Sequence, residues 1–169
     1  MTAGLAGIVV AETALSRVDG DAGELVLAGW PVAQAADRGF AAMVSTLLGE
    51  VVDERVLGEA RVEAWRWVGD GVRLPDAMDR LRGRIGALPP GSEPVIFAAV
   101  GVVAAGGGAE QAGMEPSPPD RSLSHAADLL RIMRGSVPPE DDTRALDAYL
   151  CTVIDHGLNA STFAARVVA

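Results

Sequence analysis

Cysteine is almost missing from this chain of 169 residues: Cys151 stands alone. An internal disulfide is therefore excluded, and a reducing cytoplasm is the expected compartment. The spacing of Cys151 to Leu146, Tyr149, Leu150 and Val153 sets it beside a buried helical face. No base adjoins it, so it reads as a structural thiol and not as a nucleophile. Histidine is nearly as rare, with two residues, and no metal site is expected. Aromatic residues make up only 4%, which leaves Ala, Val and Leu as the apolar mass and suits close-packed helices. Basic residues number 14 against 23 acidic ones, a net charge of −9. That balance argues against nucleic acid and anionic membrane as partners, and against a polyphosphate held tightly by this segment, so no tightly bound cofactor is expected. The longest apolar run, Pro94 to Gly108, is too short and too rich in glycine to span a bilayer. No basic patch precedes an apolar stretch near Met1, so no secretory leader is expected.

What is present has two periods. Residues Ile8 to Leu27 read as β structure, with Asp19–Gly20 and Gly23 forming the turn of a hairpin, since glycine accepts the positive φ that such a turn requires. Gly29–Trp30–Pro31 breaks the chain, and Pro31 opens a helix at its first position. Beyond it the period changes to about 3.6. Phe40, Met43, Val44, Leu47 and Leu48 share one helical face that stops at Gly49. Further helices are predicted over Asp53–Val68, with Val56, Leu57, Ala60 and Ala64 as stripe, and over Leu74–Ile85. Pro94 to Ala105 is apolar nearly all round and reads as a buried helix, and Gly106 to Asp120 reads as a loop. Ser122 or Ser124 caps the next helix, which carries Ala127, Leu130 and Met133 and ends at Gly135. Pro138–Asp142 is an acidic turn before a helix over about Thr143–Ile154, with Leu146, Tyr149, Leu150 and Val153 facing inward. Asn159 or Ser161 caps a final helix.

His156 is the residue placed best for chemistry. It lies just past one helix end and just before the helix that opens at Asn159. The unpaired N–H groups of that opening turn, beside an imidazole, outline a site for a carboxylate ligand. Asp155 is adjacent and can orient the ring. The plainer reading, a cation that complements the dipole at a helix end, stands beside this one. His125, at another helix start, reads as an exposed residue or a local helix-terminus contact.

The run Arg144 to Leu150, followed by Asp155–His156 and Asn159–Ala160–Ser161–Thr162, resembles the citrate synthase family, in which a helix ends in a D-H-x-x-N-A-S-T-type stretch. Upstream, Ala126–Gly135 resembles the family's preceding helix, Thr13–Trp30 its N-terminal hairpin, and Gly39–Glu50 the helix after that hairpin. The blocks follow the family's order from end to end of the chain, with Val51 to Asp120 only loosely similar. The resemblance implies a mainly α fold, the N-terminal half of such an enzyme: a partial large helical domain over 32–169, stopping before the catalytic small domain, with a short N-terminal β-hairpin segment over 1–31. It implies an acyltransferase that condenses acetyl-CoA or propionyl-CoA with oxaloacetate, with His156 contacting the oxaloacetate and Asn159 and Ser161 shaping the helix start beside it. Acyl-CoA would be a co-substrate. Arg166 matches no ligand-binding arginine and reads as a surface or subunit-contact residue. Val153 stands where many members have a second histidine, and Ala28 and Trp30 replace the usual tyrosine and arginine. The family's two other catalytic histidines and its aspartate have no counterpart here, so the chain alone is expected to be inactive. A homodimer, or a complementary C-terminal half, is the expected partner. The alternative is a non-catalytic helical dimerisation or regulatory subunit derived from the same fold.

Overall fold

The computed structural model describes residues 12–68, 79, 82–83, 92–155, 157 and 161–164. Three short strands come first: β1 (Ser16–Asp19), β2 (Glu24–Leu27) and β3 (Trp30–Pro31). They form an antiparallel sheet in the order β1-β2-β3, with Ser16 opposite Leu27 and Leu27 opposite Trp30. The first turn is held by the Asp19 carboxylate, which accepts from the Ala22 N–H at 2.9 Å. Its left-handed position is taken by Gly23 (φ +66°) and not by Gly20. The second turn is Ala28–Gly29, with φ of +48° and +85°. Two successive positive φ values match the right-handed twist of a tight hairpin. Trp30–Pro31 therefore adds a strand where a simple chain break was predicted, and Pro31 precedes the first helix as its cap. Strand structure begins at Ser16 and not further upstream among the described residues.

The helices with named bounds are α1 (Val32–Arg38), α2 (Phe40–Leu48), α3 (Glu54–Val68), α4 (Glu93–Gln111), α5 (His125–Arg134) and α6 (Glu140–Thr152). Residues 79, 82–83 and 161–164 are also helical. The rest of the helix predicted over Leu74–Ile85 lies outside the described residues. Capping follows sequence chemistry closely in α5: the Ser124 hydroxyl accepts from the Ala127 N–H, and Gly135 closes the helix in the left-handed conformation. In α6 the acidic triplet Glu140–Asp142 forms the first turn itself, where negative charge complements the dipole.

The loop predicted from Gly106 is displaced. α4 runs through Gly106, Gly107 and Gly108 to Gln111. Packing against α5 overrides the weak helix propensity of glycine here. A Cβ at Gly108 would sit 2.9 Å from Met133 Cγ, and one at Gly101 would sit 2.9 Å from Leu129 Cδ1, so the glycines let the two helices approach. α3 and α5 both pack on α4, while α6 packs on α1, α2 and α5. One core cluster joins Leu27, Phe40, Met43, Val44, Leu57 and Cys151; a second joins Val102, Ala105, Leu129 and Ile132. Leu146 and Leu150 are half-buried as predicted, but Tyr149 and Val153 are 59% and 49% exposed.

Candidate functional site

The turn that follows α6 begins with the Val153 N–H donating to the Tyr149 carbonyl. Gly157 takes a left-handed φ of +69°, and its N–H donates to Asp155 Oδ2 at 3.1 Å. The Asp155 carboxylate thus holds the Gly157 N–H. A Cβ at Gly157 would lie 3.7 Å from Ser16 Oγ, so the turn rests against β1. His156 and Asn159, predicted to contact and flank the ligand, lie outside the described residues, as does Arg166. Ser161 is exposed and already helical, so it is not the cap of the helix that contains it.

His125 departs from its reading as an exposed or helix-end residue. It is 1% exposed. Its ring stacks on Phe40, with centroids 4.8 Å apart, and Nδ1 lies 3.4 Å from Arg61 Nη1. Burial, and secondly the Arg61 charge, lower its pKa to about 3, so the ring is neutral near pH 7. It belongs to a buried polar cluster that sequence reasoning missed. Arg61, on α3, donates from Nε to Asp128 Oδ2 at 2.8 Å, and from Nη2 to the carbonyls of Leu123 (2.8 Å) and Asp120 (3.3 Å). Both Arg61 and Asp128 side chains are fully buried. Asp128 also accepts from the Asp120 N–H and from Arg131. Glu54 Oε2 accepts from the His125 N–H at 2.7 Å, capping α5 from the first turn of α3. The signal was present in the sequence: Arg61 stands beside Ala60 and Ala64 on an apolar helical stripe, where a charge needs a buried partner.

A polar pocket of about 720 Å³ opens between α1, α3 and α6, lined by Asp37, Arg38, Glu54, Asp141, Arg144 and Asp147 among others. Burial raises the pKa of Glu54, against the lowering effect of its bond from the His125 N–H. Burial likewise raises that of Asp147, which accepts from the Phe40 N–H with both oxygens at 3.2 Å. Each carboxylate is thus engaged as the cap of a helix and serves the scaffold. Cys151 is fully buried, and burial, with the Asp147 carboxylate second, pushes its thiol up to about 11. A neutral, enclosed thiol is no nucleophile, as its spacing predicted. The described residues therefore form a scaffold that leads to the turn at 155–157.

A helical scaffold of this order, with a small antiparallel sheet ahead of it, defines a fold class: that of the citrate synthases. The chain superposes on the crystal structure of citrate synthase from Thermotoga maritima MSB8 with a TM-score of 0.74 at 22% identity, covering 99% of this chain and 50% of that one. For citrate synthase from Pyrobaculum aerophilum the TM-score is 0.73 at 22% identity, covering 98% and 50%. The family model described as citrate synthase, C-terminal domain, matches residues 4–169, and the chain belongs to the citrate synthase family. It is similar to citrate synthase from Mycolicibacterium smegmatis, 32% identical over 98% of this chain and 51% of that protein. It is equally similar to 2-methylcitrate synthase from Mycobacterium tuberculosis H37Rv, 32% identical over 98% of this chain and 48% of that protein. The chain spans about half the length of the curated relatives it matches.

Proposed function

We propose that this chain is one half of a citrate synthase-type acyltransferase, which condenses acetyl-CoA or propionyl-CoA with oxaloacetate in a reducing cytoplasm. The observation that carries the reading is the match to the family model over residues 4–169. In this reaction a base removes a weakly acidic proton α to the thioester, donors steady the enolate oxygen, and the oxaloacetate carbonyl is attacked. His156 contacts the oxaloacetate, with Asn159 and Ser161 supporting the helix start beside it. Among the described residues, neither His125 nor Cys151 suits the acid–base work. His125 is sealed in the core and Cys151 is a buried thiol. The 169 residues alone are therefore inactive, and the remaining groups come from a complementary half.

A second reading, a non-catalytic dimerising or regulatory subunit, draws on the exposed apolar side chains Tyr149 and Val153. One assay separates the two. Purified chain, free of host enzyme, is given oxaloacetate with acetyl-CoA or propionyl-CoA and CoA release is followed. No release is expected from the chain alone. Oxaloacetate-dependent release is expected when it is co-expressed with the unmatched half of the Mycolicibacterium smegmatis enzyme, and His156→Ala should reduce that rate at least about tenfold. Turnover by the chain alone would overturn the inactivity, and silence of every mixture would favour the second reading.

A further inference from the structure

We propose that the apolar groove between α4, α5 and α6 is the seat of the complementary half. The groove holds about 630 Å³ and is lined by Phe97, Val100, Leu129, Met133, Tyr149 and Val153 among others. No acid, lysine or arginine lines it, whereas the polar pocket on the other face of α6 carries six charged side chains. Val100 is 54% exposed and Tyr149 59%. Exposed apolar side chains brought together from α4 and the C-terminal end of α6, over a floor that α5 supplies, differ from single ones scattered on a surface, and mark a contact.

α4 supplies the second argument. Between Glu93 and Glu110 it carries no charged residue, and it is apolar on every side. Such a helix is normally covered all round. Yet α3 and α5 cover it on part of its circumference only, and 44% of its most apolar stretch is buried. The uncovered part faces the groove. The relatives supply the third argument, since each is about twice the length that this chain spans. A second copy is a poorer occupant. Two concave grooves facing each other would leave a void, because an isologous contact must be self-complementary. Among the described residues, the exposed large apolar side chains outside the groove, Leu15, Val18, Val51 and Val137, belong to separate segments of the chain. The inference rests on the proposed function for the identity of the partner, not for the existence of the groove.

The test is co-expression of the full chain with a tagged polypeptide comprising the unmatched half of the Mycolicibacterium smegmatis citrate synthase. Association is measured by affinity capture and sedimentation, and CoA release is measured separately. A one-to-one complex is expected. Val100→Glu and Tyr149→Glu should each weaken it at least tenfold with the helical signal of the free chain unchanged, while Val137→Glu, outside the groove, should change it less than threefold. Failure of the halves to associate, or association that both groove variants leave intact, would overturn the proposal. Self-association of the chain alone, abolished by the same variants, would also overturn it and give the groove to a second copy. Recruitment of the chain to neutral lipid vesicles, lost in the variants, would give it to a bilayer. Groove-dependent association without CoA release keeps this inference and sinks the proposed activity; CoA release indifferent to the groove variants does the reverse.

Discussion

Arg61 and Asp128 form a charge pair with no access to water, and their surroundings decide how much each matters. Asp128 retains Arg131 and the Asp120 N–H if Arg61 is removed, but it loses its closest buried cation. Removing one partner of a buried pair costs about 3–5 kcal/mol when it leaves a charge uncompensated; here Arg131 still faces Asp128 at 2.8 Å, but Arg61→Met also strands the Leu123 and Asp120 carbonyls. Arg61→Met is therefore expected to lower the urea unfolding free energy by about that amount; a loss under about 1 kcal/mol would mean that water or rearrangement replaces the arginine. His125 gives a pH dependence. Its pKa is lowered from 6.5 to about 3 in the folded chain, so below pH 6.5 the unfolded state binds the proton and the folded state does not. Stability is then present above pH 6.5 and is lost as pH falls toward 3, by about 2 kcal/mol at pH 5. Glu54 and Asp147 oppose this, since their raised pKa values add stability as pH falls through the folded values. Urea midpoints at pH 7.5, 6 and 5 should fall, and His125→Gln should flatten the part between 6.5 and 5. An unchanged slope in that variant would dismiss the histidine as the cause. Arg61 was passed over as part of a helix read by its apolar stripe alone, and its partner stands 67 positions away on another helix. The sequence could not show that His125, whose neighbours in the chain are polar and apolar in turn, faces Phe40.

At the level of elements, two glycines in helices carry opposite expectations. A Cβ at Gly58 in α3 would lie 2.9 Å from the backbone carbonyl oxygen of Arg121, which cannot swing aside as a side chain can. The gain in helix propensity of about 1 kcal/mol is then outweighed by the forced separation of α3 from the segment before α5. A Cβ at Gly106 in α4 would meet Pro116 at 3.9 Å, an ordinary contact. Thermal unfolding should place Gly58→Ala below the parent chain by about 1–3 kcal/mol and Gly106→Ala above it by about 0.5–1 kcal/mol. A Gly58→Ala chain as stable as the parent would show that α3 and the Arg121 segment can move apart freely. The same residues explain which elements were legible. α2, α3 and α5 have apolar stripes and end signals of their own, so local pattern found them. The glycines after Ala105 read as a loop because local propensity says so; α4 continues because α5 presents Leu129 and Met133 to surfaces that only glycine leaves open. β3 was missed for the reverse reason. Two residues are too few to carry a period, and the turn that makes them a strand depends on Ala28 accepting φ of +48°.

The whole molecule pairs a complete-looking scaffold with a ligand site drawn in outline only. Class was legible because helical periods fill most of the chain and the blocks resembling citrate synthase keep their order. The candidate site was legible only as sequence, since His156 and Asn159 lie outside the described residues. Energetics then argue the behaviour of the isolated chain. Oxaloacetate is a dianion, and the chain carries a net charge of −9 with one imidazole proposed to meet it. A ligand stabilises the folded state by RT ln(1 + [L]/Kd), so about 1 mM ligand adds under roughly 0.1 kcal/mol when Kd is about 10 mM or weaker. For a domain of this size that is a shift in Tm well below about 1 °C. The chain alone should therefore melt at the same temperature with and without about 1 mM oxaloacetate, whereas the complex with a complementary half should melt at least about 2 °C higher with it. A shift of that size in the isolated chain would mean that these 169 residues already enclose the keto-diacid, and that the dianion needs no second half to be held.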